Sequence, residues 1–177
     1  MIVTTEYIES LLKTAPITIY LLILCFASIC TVLAISLKGF SRGIKASSII
    51  ILLLYAAIVI CITVAFRHHY VLGIKYIPFW SYLAIIEGKT QLFAENIMNV
   101  VAFMPIGILL AIGFRNLKWW QAATVGCVFS VIIEFLQFYF ERGQCEIDDV
   151  IHNSLGCVLG YSIVRTAYKS IRHFSQE

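Results

Sequence analysis

ASSIIILLLYAAIVICITVAF, residues 46–66, is a run of 21 positions without a single charged side chain. A bilayer's hydrocarbon core is about 30 Å thick and a helix rises 1.5 Å per residue, so about 20 such residues cross it. The segment therefore reads as a transmembrane helix. Working outward, a short basic turn of Lys38, Gly39, Arg42, Gly43 and Lys45 precedes it. Before that turn lies a second uncharged run at about 16–37, with Pro16 well placed at a helix start.

The whole chain has this character. Of 177 residues, 60% are hydrophobic and 13% charged, with a mean hydropathy of +0.90, which excludes an ordinary water-soluble domain. The net charge of +3 is spread singly between apolar runs, so no nucleic-acid partner is expected. Cys25, Cys30, Cys61 and Cys127 lie in apolar runs, Cys157 falls in the last helix and Cys145 in a polar loop. That spacing forms neither a disulfide framework nor a C-x-x-C metal site. The leader carries Glu6 and Glu9 against Lys13, and the run after it is too long for a signal-peptide core, so it is read as retained.

Three further segments are apolar enough to span yet carry polar residues: about 92–114, 121–140 and 148–167. The expected fold is an all-α integral membrane protein with about five transmembrane helices, one domain over 1–177, and a polar cluster between helices three, four and five. Short connections predict antiparallel neighbours. With five helices, the basic turns and the tail with Arg165, Lys169 and Arg172 share one side, so the amino terminus is expected outside and the carboxyl terminus in the cytoplasm. The connection 67–91, rich in aromatics over 76–82, is expected at the membrane interface, with His68 and His69 solvated there.

Charged side chains inside a span cost roughly 2.5–3.5 kcal/mol each on insertion scales, so those present should face the bundle interior or a cavity. Helix three holds Glu95, Asn96 and Asn99; helix four holds Glu134 and Gln137; helix five holds Asp148, Asp149, His152 and Asn153. Counting residues from the outer ends puts all three sets in one layer, roughly 7–10 Å deep. The pairs Glu95/Asn99 and Asp149/Asn153 are i,i+4, and Glu134/Gln137 is i,i+3, so each helix presents one polar stripe. Gly156 and Gly160 continue the Asn153 stripe in G-x-x-x-G spacing, which favours close helix contact, while Pro105 and Gly107 loosen helix three below the layer. Such a network could merely brace the bundle. Three carboxylates in one layer would repel unless protonated, paired with Arg142 or bound to a cation or basic ligand, which argues for function.

Four motifs then stand in order: Ile77-Pro78-Phe79; Asn96-x-x-Asn99 leading to Phe103-Met104-Pro105-Ile106-Gly107; Glu134-Phe135-Leu136-Gln137; and Asp148-Asp149-x-x-x-Asn153-x-x-Gly156-x-x-x-Gly160. From about residue 77 to 161 the chain resembles the VanZ-like family. The resemblance implies a bacterial plasma-membrane protein with a role in glycopeptide resistance or cell-envelope maintenance, the family's namesake being associated with low-level resistance to teicoplanin. It carries the family's polar positions onto Asn96, Asn99, Glu134, Gln137, Arg142, Asp148, Asp149 and Asn153. One departure is that Arg142 precedes Gly143 here, where many members place an arginine after that glycine.

Three functions fit. The first is engagement of a lipid-linked or amphiphilic molecule at the outer leaflet, such as a cell-wall precursor or lipoglycopeptide, by a pocket of Glu95, Asn96, Asn99, Glu134, Gln137, Arg142, Asp148, Asp149 and Asn153. The second is an enzyme on a lipid substrate, with Glu134, Asp148 and Asp149 as catalytic candidates and with Asp148, Asp149 and His152 as ligands to magnesium or calcium. The third is a small transporter, since intramembrane carboxylates mark ion paths.

Overall fold

The computed structural model describes residues 24, 26–37, 39, 41–65 and 73–174. The acidic leader, the beginning of the first apolar run and the His68–His69 pair lie outside these residues. The described elements are α1 (Phe26–Leu37), α2 (Arg42–Ile60) continued by a π-helical turn (Cys61–Ala65), β1 (Ile74–Lys75), α3 (Trp80–Ile86), α4 (Gln91–Gly113), α5 (Trp119–Tyr139), β2 (Cys145–Glu146) and α6 (Ile147–Phe174).

Local chemistry explains several boundaries. Ser41 adopts an extended conformation before α2, and its hydroxyl accepts the Ile44 N–H at 3.2 Å, satisfying one of the helix's free amides. Gln121 does the same for α5, its side-chain oxygen accepting the Lys118 N–H at 2.8 Å. Pro105 lies within α4, which nonetheless runs unbroken from Gln91 to Gly113. One residue from the carbonyl whose partner that proline removes, Tyr55 of α2 donates to the Ala102 carbonyl at 2.9 Å.

Among the described residues, three helices are long and apolar enough to cross a membrane: Arg42–Ala65, Gln91–Gly113 and Trp119–Tyr139. Their outward faces carry bare apolar side chains such as Leu53, Leu54, Val128 and Phe135, the surface that lipid solvates. The protein is an integral membrane protein. Helix α6 is longer, at 28 residues, but carries charge at both ends.

The core is centred on α4. Phe103, Ile106, Leu109, Leu110 and Ile112 are buried there, joined by Tyr55 and Val59 of α2, Ile133 of α5 and Val164 of α6. The most extensive helix contact is α4 with α6; α5 also packs on α6, whereas α4 and α5 touch far less. The consecutive helices α5 and α6 thus pack together, whereas α4 and α5 touch little because α6 lies between them. Its glycines explain why: a Cβ on Gly156 would run into the Val100 carbonyl, one on Gly160 into the Met104 carbonyl, and one on Gly107 of α4 into the Cys157 carbonyl. Only bare backbone lets these helices approach so closely.

The connection before α4 is more structured than an interfacial loop. Its Ile74–Lys75 segment pairs in parallel with Cys145–Glu146, and the Cys145 N–H donates to the Gly73 carbonyl at 2.9 Å. This two-stranded ladder joins the chain before α3 to the chain before α6 and marks one end of the bundle. Basic side chains gather at the other end. Arg165 donates to the Phe114 and Leu117 carbonyls, each at 3.0 Å, and a cavity there is lined by Arg115, Arg165 and Lys169.

Candidate functional site

At the ladder end, the polar residues of α4, α5 and α6 divide into two sets. The division follows from helix geometry, since adjacent residues point about 100° apart. Asp148 and Asp149 cannot face the same way.

The first set fills the space between α3, α4 and α6. Asp148, only 1% exposed, accepts the Phe79 N–H, the Ser81 N–H at 2.9 Å and the Ser81 hydroxyl at 2.6 Å. Asn96 donates to the same hydroxyl at 3.0 Å. One turn along α6, His152 bonds the Tyr82 hydroxyl at 2.9 Å. These contacts hold α3 down and support Phe79 in a left-handed conformation, φ 63°, immediately before it. Asn96 and Asp148 thus turn away from the pocket in which both were expected, and both work as anchors of a short helix.

The second set surrounds a cavity of about 460 Å³ bounded by the end of α2, α4, α5 and α6. Glu95, Asn99, Glu134, Gln137, Asp149 and Asn153 all line it. Asn99 donates to Asp149 at 2.8 Å, and Glu134 accepts the Glu146 N–H at 2.8 Å, which ties α5 to the strand ladder. Gln137 donates to the Thr63 carbonyl at 3.1 Å, inside the π-helical turn. Asn153 donates to the Ser130 hydroxyl at 2.8 Å. Val59, Ile62, Met98 and Phe103 supply apolar wall.

A larger cavity of about 660 Å³ adjoins it, sharing Glu95 and Asp149 and adding Lys75, Trp80, Lys89 and Glu146. The Lys75 ammonium lies 3.4 Å from the Trp80 ring centroid and 3.4 Å from a Glu146 carboxylate oxygen. Sequence reading took Trp80 only as part of the interfacial aromatic segment and did not place Lys75 or Thr63 at the site, because each joins it through contacts between distant parts of the chain. Arg142 sits in the turn after α5, its N–H bonded to the Gln137 carbonyl at 2.7 Å, and among the described residues it lines neither cavity.

The proposed ligand set of Asp148, Asp149 and His152 is likewise split. Asp148 and His152 face α3 while Asp149 faces the cavities, and among the described residues no three His, Cys, Asp or Glu side chains are placed to share a metal ion.

Cys145 reports on the charge here. Partial burial pushes its thiol pKa up from the ordinary value, and the carboxylates of Glu134, Glu146 and Asp149 raise it further. A raised thiol pKa keeps the unreactive protonated form to higher pH. In a variant retaining only this cysteine, alkylation is expected to be slower at neutral pH than for a free thiol, and to accelerate in a Glu146→Gln background. Equal rates in both backgrounds over the whole pH range would contradict the assignment.

A model of the VanZ/LLP1 family matches residues 17–168. The Protein VanZ of Enterococcus faecium is 34% identical over 85 residues, which is 48% of this chain and 51% of that protein, so the alignment spans about half the length of that relative. No solved structure matches the chain.

Proposed function

The chain belongs to the VanZ/LLP1 family, and on that premise we propose that it engages the polar head of a lipid-linked or amphiphilic molecule at the outer leaflet of a bacterial plasma membrane, contributing to resistance against glycopeptides such as teicoplanin. A cell-wall precursor or a lipoglycopeptide is the expected ligand class.

The observation that carries this reading is the pair of adjoining cavities at the ladder end. One is walled by both carboxylates and apolar side chains, the other by lysines, carboxylates and Trp80. Such a surface suits a molecule with a polar head and an apolar stem. Lys45, Arg115, Arg165 and Lys169 around the opposite end favour an inside position for that end, which turns the cavities outward. The amino terminus is then outside and the carboxyl terminus cytoplasmic. The divergence of Asp148 from Asp149 favours binding over chemistry by a carboxylate pair.

In cells exposed to teicoplanin, Glu134→Gln and Asp149→Asn variants made at parental levels are expected to lose most of the protection that the parent confers. Full protection by both variants would overturn the reading.

A further inference from the structure

Charge is divided between the two ends of the bundle. No Asp or Glu occurs in 26–65, 113–121 or 150–174, the segments that reach the end away from the strand ladder. At that end Arg115, Arg165 and Lys169 together line a cavity of about 560 Å³, and Leu37 of α1, Asn116 of the α4–α5 turn, and Tyr168 and Ile171 of α6 complete its wall. Cations and apolar side chains share one space.

Two of the cations are held in place. Arg165 donates from one terminal nitrogen to both the Phe114 and Leu117 carbonyls, each at 3.0 Å, with its guanidinium carbon 5.0 Å from the Tyr161 ring centroid. The Arg115 guanidinium stands 5.4 Å from the Tyr168 ring centroid, and the Tyr168 hydroxyl is itself fixed by donating to Ser36 at 2.9 Å. Carbonyls and ring faces orient a guanidinium but carry no negative charge to set against it. Oriented cations around an open space, with no Asp or Glu among the described residues that line it, suit an anion.

The depth of the cavity identifies the anion's source. The spans Gln91–Gly113 and Trp119–Tyr139 lie on either side of the turn whose carbonyls hold Arg165, so its guanidinium sits where the helices leave the hydrocarbon. Trp119 and Trp120, 62% and 50% exposed, mark the same level, the one that indole rings favour. Lipid phosphates lie there too, and a soluble anion would gain nothing from Leu37 and Ile171. We propose that this cavity seats the phosphate of an anionic phospholipid from the leaflet at this end, with its apolar wall against the start of the acyl chains. A zwitterionic lipid fits less well, because its ammonium group would be brought among three cations. The site lies at the opposite end from the cavities of the amphiphile reading and does not depend on it.

The test reconstitutes the full chain in nanodiscs of phosphatidylcholine and phosphatidylglycerol with the same acyl chains, and counts by native mass spectrometry the lipids that stay on the released protein. One phosphatidylglycerol per chain is expected to be retained, in preference to phosphatidylcholine by about tenfold. Arg115→Gln and Lys169→Gln, both at exposed positions, should each lower that preference about fivefold, the effect of one cation at a bilayer surface, and Lys169→Arg should keep it. Arg165 is left in place because it ties the α4–α5 turn. Three results overturn the proposal. Equal retention of the two lipids removes the selectivity, and an unchanged preference in the Arg115→Gln/Lys169→Gln double variant moves the lipid elsewhere. Displacement of the lipid by excess inorganic phosphate would make this a site for a soluble anion instead.

Discussion

Asp148→Ala is expected to destabilise the protein by about 3–5 kcal/mol, the range found when one partner of a buried charged network is removed. Three donors depend on this one carboxylate: the Phe79 N–H, the Ser81 N–H and the Ser81 hydroxyl, with Asn96 bonded to that hydroxyl in turn. Alanine would leave all three without this acceptor, and at Ser81, only 1% exposed, water does not replace it. Asn offers one oxygen in place of two and turns an NH₂ toward donors that need an acceptor, so Asp148→Asn should recover little. The first consequence is local. Helix α3 has only 7 residues and cannot persist without tertiary support, so it should release together with the Phe79 turn. Limited proteolysis should then cut faster at Lys75 and Lys89, which flank α3, and the denaturant midpoint of the purified protein should fall. A variant with parental midpoint and parental cleavage would show instead that Asp148 is a site residue, as its motif position suggested. The same comparison explains how a change at this aspartate could remove a cellular phenotype without touching the ligand.

The three spans Arg42–Ala65, Gln91–Gly113 and Trp119–Tyr139 were legible because their signal is local. A charge-free run at 46–66 or a 3.6-residue polar stripe on α4 needs no knowledge of any partner. The convergence of Glu95, Asn99, Glu134, Gln137, Asp149 and Asn153 was legible for the same reason, since depth and face follow from counting along three helices. What escaped was everything set by distant contacts. Helix α3 depends on an acceptor 67 positions away in sequence from Ser81, and the Ile74–Cys145 pairing joins two strands of two residues each, too short for any periodicity. Asp148 and Asn96 were placed in the wrong company because neighbours in a motif were assumed to be neighbours in space. On a helix, adjacent side chains diverge, and a second polar partner, α3, was waiting on the other side.

Substitutions at the α4–α6 crossing should be graded by what each new methyl group meets. At Gly156 and Gly160 the obstacle is the backbone carbonyl of Val100 or Met104, and at Gly107 it is that of Cys157. A carbonyl cannot swing aside as a side chain can, so an alanine there must push whole helices apart. That movement opens contacts along the most extensive interface of the bundle, including those of Phe103 and Ile106, and strains the Asn99–Asp149 bond above it. Gly156→Ala and Gly160→Ala are therefore expected to cost more than about 3 kcal/mol, at or beyond the upper end for overpacking. Gly126 of α5 is the internal contrast. Its added Cβ would meet the Cys157 Cβ at 2.8 Å and Sγ at 3.0 Å; the Cβ is fixed to the backbone and alanine keeps it, whereas the Sγ can be removed. Gly126→Ala should cost about 1–2 kcal/mol, and Cys157→Ala in the same chain should return part of that loss, a coupling that a double-mutant cycle reads directly. Gly39, with no atom within 4 Å of its built Cβ, should accept alanine with no more than about 0.5 kcal/mol of change. If the alanines at Gly156 and Gly160 lowered stability no more than the one at Gly39, close approach would not govern these positions, and the stripe Gly156-x-x-x-Gly160 would lose its claim to fix where α6 lies against α4.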